Sequence, residues 1–281
     1  MNFFIINKAL SKALLLVALI CLCPVAVAAE TVELPHTDGF GLMPQLPPLE
    51  KNLQQKLYQQ SRQSCDTGCA TPFGQILGKA DGAVGYSNCQ SICVKPEYSF
   101  LNLTTGEISN HTKNPQQSNL HYIGVIYQCV EYARKWWMKN LNITFGSIDS
   151  AYQILYLSEG QNIRTNEFFP LARSINGSAK RAPKRGDLII YAPDRSRANW
   201  RHGHVAVVVA VDLKAGTLSV AEENYDNKPW QDPEHYSRKI SIFKTGNYYT
   251  VLDLAPGQKI HSKGAAISGW IYPYKLKDTN P

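Results

Sequence analysis

Hydrophobic positions follow three spacings along the chain. Ala13–Cys23 is an unbroken apolar run. Residues 51–64, KNLQQKLYQQSRQS, contain no breaker and place Leu53, Leu57 and Tyr58 at helical intervals, which predicts a helix. A second helix is predicted from Gln128 to about Asn140, where Val130, Ala133 and Trp137 recur at i, i+3 and i+7 and no Gly or Pro intervenes before Gly146. DSAYQILYLS (149–158) opens on residues suited to an N-cap and predicts a third helix. From there the pattern turns to strands: GDLIIYA (186–192), GHVAVVVAVD (203–212) and GTLSVAEENY (216–225), then shorter ones at Lys239–Phe243, Tyr248–Leu252 and Ser268–Tyr272. PFGQILGKADGAVGYS (72–87) predicts a turn, a short apolar strand and a reversal, and LNLTTGEISNHTKN (101–114) a polar loop. Helices first and strands afterwards predict an α+β fold, with N-terminal helices packed on an antiparallel sheet.

Charge and composition then sort the segments into domains. Lys8 and Lys12 precede the apolar run, and Ala26-Val27-Ala28 follows it as an A-x-A site, the pattern of a cleaved secretory leader over 1–28. The alternative is an uncleaved anchor, but the run is short against the roughly 20 residues of a bilayer span. No second apolar stretch is long enough to span, so no stable membrane insertion is expected after cleavage. The expected destination is outside the cytosol: periplasm, cell wall or medium. Residues 29–70 read as a Pro- and Gly-rich arm ending in a helix, 71–276 as the main domain and 277–281 as a tail. The formal charge of +7 falls to about +5 without Lys8 and Lys12, compatible with attraction to an anionic wall. Nucleic-acid binding needs clustered basic and aromatic residues, and KRAPKR (180–185) is too short a cluster for it.

Of seven cysteines, five lie beyond the leader. Cys65 and Cys69, and Cys89 and Cys93, form two C-x-x-x-C pairs, which in an oxidising compartment predict two disulfides of undetermined pairing. A four-thiolate zinc site is the rival reading and favours tighter spacing; no metal or other cofactor is expected. Cys129 is left over. It opens the helix 128–140, where unsatisfied amides and the helix dipole favour a thiolate. Its alternatives are a buried small hydrophobe or an intermolecular bridge.

A thiol nucleophile needs a base, and the base an orienting group. His202 and His204 stand where the strand VAVVVAV begins, held yet accessible. A hairpin turning near Leu213 would set His204 opposite Glu222 and His202 opposite Asn224. Alternation places Leu218, Val220, Glu222 and Asn224 on one face and Glu223 on the other. Cys129–His204–Glu222 is therefore a candidate triad. The alternatives are an ordinary cross-strand His–Glu pair and a zinc site built on His202, His204 and Glu222.

YQCVEYARKWW, RAPKRGDLIIY, HGHVAVVVAV and SVAEENY, in that order, resemble the CHAP family of cysteine, histidine-dependent amidohydrolases and peptidases. Within it they resemble the amidase domain of glutathionylspermidine synthetase/amidase, which shares a PFG…LG segment, over roughly residues 70–275. The resemblance implies a papain-like fold with Cys129 as nucleophile, His204 as general base and acid, and Glu222 as orienting carboxylate. It gives Asn224 a supporting role and Arg134 contact with a carboxylate-bearing end of the substrate, against the alternative of a surface salt bridge. Gln128 and the Cys129 amide are candidate oxyanion donors, with helix capping the alternative for Gln128; Asp187 is expected to be structural. Such a chain is expected to be an exported thiol amidohydrolase acting on peptidoglycan peptides. A glutathionylspermidine-type amidase, or a silent secreted binding module, is the alternative.

Overall fold

A computed structural model describes residues 65–258 and 265–274. The predicted leader, the arm through residue 64 with its helix, and the 277–281 tail lie outside the described residues. The described residues belong to one unit, His36–Pro281. In chain order its elements are β1 (Ile76–Ala80), β2 (Ala83–Tyr86), β3 (Tyr98–Asn102), β4 (Ile108–His111), β5 (Leu120–Val125), α1 (Cys129–Leu141) and β6 (Ile143–Thr144). A 3₁₀ turn at Ala151–Tyr156 follows, then β7 (Glu159–Asn162), β8 (Phe168–Ile175) and β9 (Leu188–Tyr191). A second 3₁₀ turn (Ala198–Trp200) precedes β10 (His204–Asp212), β11 (Thr217–Ala221), β12 (Arg238–Thr245), β13 (Tyr248–Leu252) and β14 (Ile267–Pro273).

Nine strands form one sheet in the order β13-β12-β11-β10-β9-β14-β8-β7-β6, flanked by the β1-β2 hairpin and a β4-β3-β5 sheet. Every pairing is antiparallel among the described residues. The predicted α+β class holds, carried on one long helix. β10 is apolar from Val205 to Val209 because both its faces are covered there. Val205, Val207 and Val209 join the core that contains Tyr132, Ala133, Trp136 and Trp137 of α1. Ala206 and Val208 join Ile189, Leu218, Val220 and Trp270 on the other side. Trp136 and Trp137 are essentially fully buried, and each such side chain contributes on the order of 2 kcal/mol or more.

Three expectations need correction. The 101–114 segment is no loop: β3 and β4 occupy much of it, because Phe100 and Leu101 are buried while β4 is a polar edge strand. The helix expected at 149–158 contracts to the Ala151–Tyr156 3₁₀ turn, with a Ser150/Gln153 capping box. The β10–β11 register differs as well: Val207 pairs with Ala221, not Ser219, and a bulge follows Val208. His204 pairs with Tyr191 of β9 instead of sitting opposite Glu222. A shift of two residues preserves side-chain parity, so His204 and Glu222 still share a face.

Candidate active site

The chain reaches α1 through a sharp turn. Tyr127 adopts φ 58°, uncommon for an aromatic residue, and packs on Phe73 and Tyr86. Gly124 is required here, since a Cβ would meet the Glu131 backbone at 3.0 Å. Gln128 caps α1 in extended conformation without a side-chain cap bond, which removes the capping alternative. Its carboxamide is held at both ends instead: Nε2 donates to the Cys93 carbonyl at 2.9 Å, and Oε1 accepts from Asn224 Nδ2 at 2.9 Å. Cys129 follows as the first helical residue, half-buried, and is the free cysteine among the described residues.

His204 is held on three sides. Gly203 before it takes φ 64°, and a Cβ there would strike the Tyr191 carbonyl at 2.5 Å. Tyr191, Trp200 and Tyr225 meet the imidazole edge-on at 5.3–5.9 Å. Nε2 bonds Glu222 Oε2 at 2.8 Å, leaving Nδ1 as the ring nitrogen for Cys129. Burial works to lower the His204 pKa, but the Cys129 charge and hydrogen bond, together with Glu222, raise it to about 9.

Glu222 is fixed from the far side by a residue that sequence reasoning missed. Arg238 Nε donates to Glu222 Oε1 at 2.6 Å and Nη2 to Oε2 at 3.3 Å, and Ser237 Oγ donates to Oε1 at 3.0 Å. Arg238 also binds Asp253 through Nη1 and the Tyr191 hydroxyl at 2.7 Å. Burial works to raise the Glu222 pKa, but Arg238 and His204 bring it down to about 2. Position 238 opens the strand predicted at Lys239–Phe243, beside β11, so its reach towards residue 222 could have been anticipated from strand order.

Arg134 is buried, and its guanidinium donates to the carbonyls of Ile123 (2.9 Å), Phe145 (3.2 Å) and Gly146. It makes no salt bridge among the described residues. Burial lowers its pKa to about 10, which leaves it cationic at neutral pH. His202 lines the same cleft and is not bonded to Glu222; its Nδ1 bonds Ser150 Oγ at 2.8 Å. Asp187 binds Arg181 and the Lys184 amide, a structural arrangement. Cys65 bonds Cys93 and Cys69 bonds Cys89, giving two nested disulfides. No group of three His, Cys, Asp or Glu side chains suited to a metal occurs among the described residues. No helix there is long and apolar enough to cross a membrane.

Cys129, His204, Gln128, Asn224 and Arg134 all line one cleft of about 500 Å³. Its walls are largely apolar, from Ile92, Val94, Tyr122, Ile148 and Trp200. A thiol at a helix start beside a carboxylate-bound histidine, on a largely antiparallel sheet, marks a papain-like thiol hydrolase class. Residues 120–224 match the CHAP domain model. It is 28% identical over 183 residues, 65% of this chain, to the bifunctional glutathionylspermidine synthetase/amidase of Escherichia coli. It is likewise 28% identical over 183 residues to trypanothione synthetase of Crithidia fasciculata. The chain spans only 27% and 24% of the length of those relatives. The domain match and the amidase relative support a cysteine amidohydrolase.

Proposed function

We propose that this protein is an exported thiol amidohydrolase that cleaves amide bonds in peptidoglycan peptides through Cys129, His204 and Glu222. The observation that carries the reading is the buried His204–Glu222 pair at 2.8 Å in the cleft that Cys129 lines. The Cys129 thiolate attacks the amide carbonyl. The Cys129 amide and the second Nε2–H of Gln128 receive the developing oxyanion. The His204 imidazolium gives its proton to the leaving amine. His204 then takes a proton from water, which attacks the thioester, releases the acid and restores the thiol. Glu222 keeps the imidazole in one orientation and supports its charge. Arg134 has five N–H donors, and those not bound to backbone carbonyls are available for a substrate carboxylate. The substrate assignment draws on the two disulfides, which suit an oxidising compartment where peptidoglycan is the amide-rich polymer, and on the leader-like N-terminus.

A second reading, a glutathionylspermidine-type amidase, is favoured by the name of the bacterial relative. Mature protein and its Cys129→Ala variant, incubated with purified peptidoglycan and separately with glutathionylspermidine, distinguish the two by mass spectrometry. New wall fragments from the wild type alone are expected. Release of spermidine alone replaces the first reading by the second, and no cleavage of either overturns both.

A further inference from the structure

The reaction above makes no use of the four bridged cysteines, yet their loop reaches Gln128, the residue before the reactive thiol. The Cys93 carbonyl accepts from Gln128 Nε2 at 2.9 Å and from the fully buried Asn88 Nδ2 at 2.8 Å. The Ser91 carbonyl accepts from Asn224 Nδ2 at 3.2 Å, and Asn88 Nδ2 reaches Asn224 Oδ1 at 3.2 Å. Asn224 in turn holds Gln128 Oε1. A short loop thus supplies the backbone acceptors that orient the carboxamide preceding Cys129, and Ser91, Ile92 and Val94 also line the cleft. A backbone carbonyl can hold a side chain in place only if its own loop is fixed. Around Cys93 the fixing is covalent, to Cys65 across 28 residues, with Cys69–Cys89 nested inside.

We propose that the disulfide-closed loop 65–93 is a positioning element of the active site, which aims Gln128 at the oxyanion and makes turnover depend on oxidation of the bridges. The proposal rests on the amidohydrolase reading. Reduction by a dithiol delivers two electrons and two protons to each bridge; two cysteine thiols form and the dithiol leaves as its own disulfide. Freed at Cys93, the loop no longer fixes the Gln128 amide, whereas the His204–Glu222 contact, made from β10 and the end of β11, stays in place. Chemistry that needs an oxyanion donor then slows, and chemistry that needs only the thiolate does not.

The test is the Cys65→Ser/Cys93→Ser double variant of the full chain, compared with wild type in three measurements. The turnover number for amide hydrolysis is expected to fall about 10²-fold, the range for losing one oxyanion donor, with KM changed less than about threefold. Alkylation of Cys129 by iodoacetamide, which develops no oxyanion, is expected to stay within about threefold of wild type. Hydrogen exchange, read by mass spectrometry with no substrate present, is expected to rise in the peptide spanning 124–130. Unchanged turnover, parallel loss of turnover and alkylation, or unchanged exchange each overturns the proposal. If the wild type cleaves no amide, the amidohydrolase reading fails by itself, and the exchange measurement still decides whether the loop holds Gln128.

Discussion

Glu222 and Glu223 are chain neighbours, both almost wholly buried, in opposite electrostatic settings. Glu222 faces His204, Arg238 and Ser237, with a partner for each oxygen. Glu223 shares one cation with a second buried carboxylate: Lys135 bonds Glu223 at 2.9 Å and Glu131 at 3.0 Å. The Lys135 contact falls on Glu131 Oε2, whereas Glu223 Oε2 has no hydrogen-bond donor among the described residues. Burial raises the Glu223 pKa far above the carboxylate range, and Glu131 adds to this while Lys135 opposes it. Burial also works to raise that of Glu222, but Arg238 and His204 reverse the sign. The difference lies in how many cations each carboxylate has. Two donors of positive charge keep Glu222 an anion able to orient an imidazole. One lysine between two carboxylates leaves Glu223 a structural clamp, which ties α1 to β2 through the Tyr86 amide at 2.8 Å.

Swapping each carboxylate for its amide isostere separates the two roles. Glu222→Gln is expected to lower turnover by about 10³-fold, because the amide can present the wrong partner to His204. Glu223→Gln is expected to leave turnover within about threefold, because the carboxamide oxygen can still accept from the Tyr86 amide and from Lys135. Steady-state kinetics of the two variants checks the contrast. Next in size is stability. Lys135→Met strands two buried carboxylates without a cation and is expected to cost about 3–5 kcal/mol, measured by urea unfolding; the same experiment on Glu223→Gln should show a loss of about 1 kcal/mol or less.

The smallest effect is in pH dependence. Glu222, lowered from 4.5 to about 2, contributes stability present above 4.5 and lost as pH falls through about 2. His204, raised from 6.5 to about 9, contributes stability present below 6.5 and lost as pH rises through about 9. Both contributions are complete between pH 4.5 and 6.5, so the urea midpoint should decline above that window. His204→Gln should flatten the alkaline decline. An alkaline decline as steep in that variant as in wild type would mean another group carries it.

Much of this arrangement could be read from the chain because it depends on local pattern. α1 and the strands from β9 to β14 follow from apolar spacing, and the face shared by His204 and Glu222 follows from parity, which survived a wrong register. Less was legible where an element's signal is not apolar. β3 and β4 carry Asn, Ser and His, and Phe100 and Leu101 are their buried large apolar residues. β7 (EGQN) is polar, and β8 (FFPLARSI) is mostly apolar without a period-2 alternation. Arg238 anchors Glu222 from the neighbouring strand, a reach that strand order allows, but its own partner Asp253 is a long-range contact that no spacing rule joins. The nesting of the disulfides also depended on the fold, since four cysteines allow three pairings.

The most direct measurement is the rate of Cys129 alkylation near pH 7 in wild type, His204→Ala and Glu222→Gln, followed by mass spectrometry without any substrate. A thiolate maintained by a carboxylate-held imidazole predicts rapid modification of the wild type, a rate lower by about tenfold or more in His204→Ala, and an intermediate rate in Glu222→Gln. Equal rates in all three proteins would show that neither His204 nor Glu222 activates the thiol, and would contradict the triad.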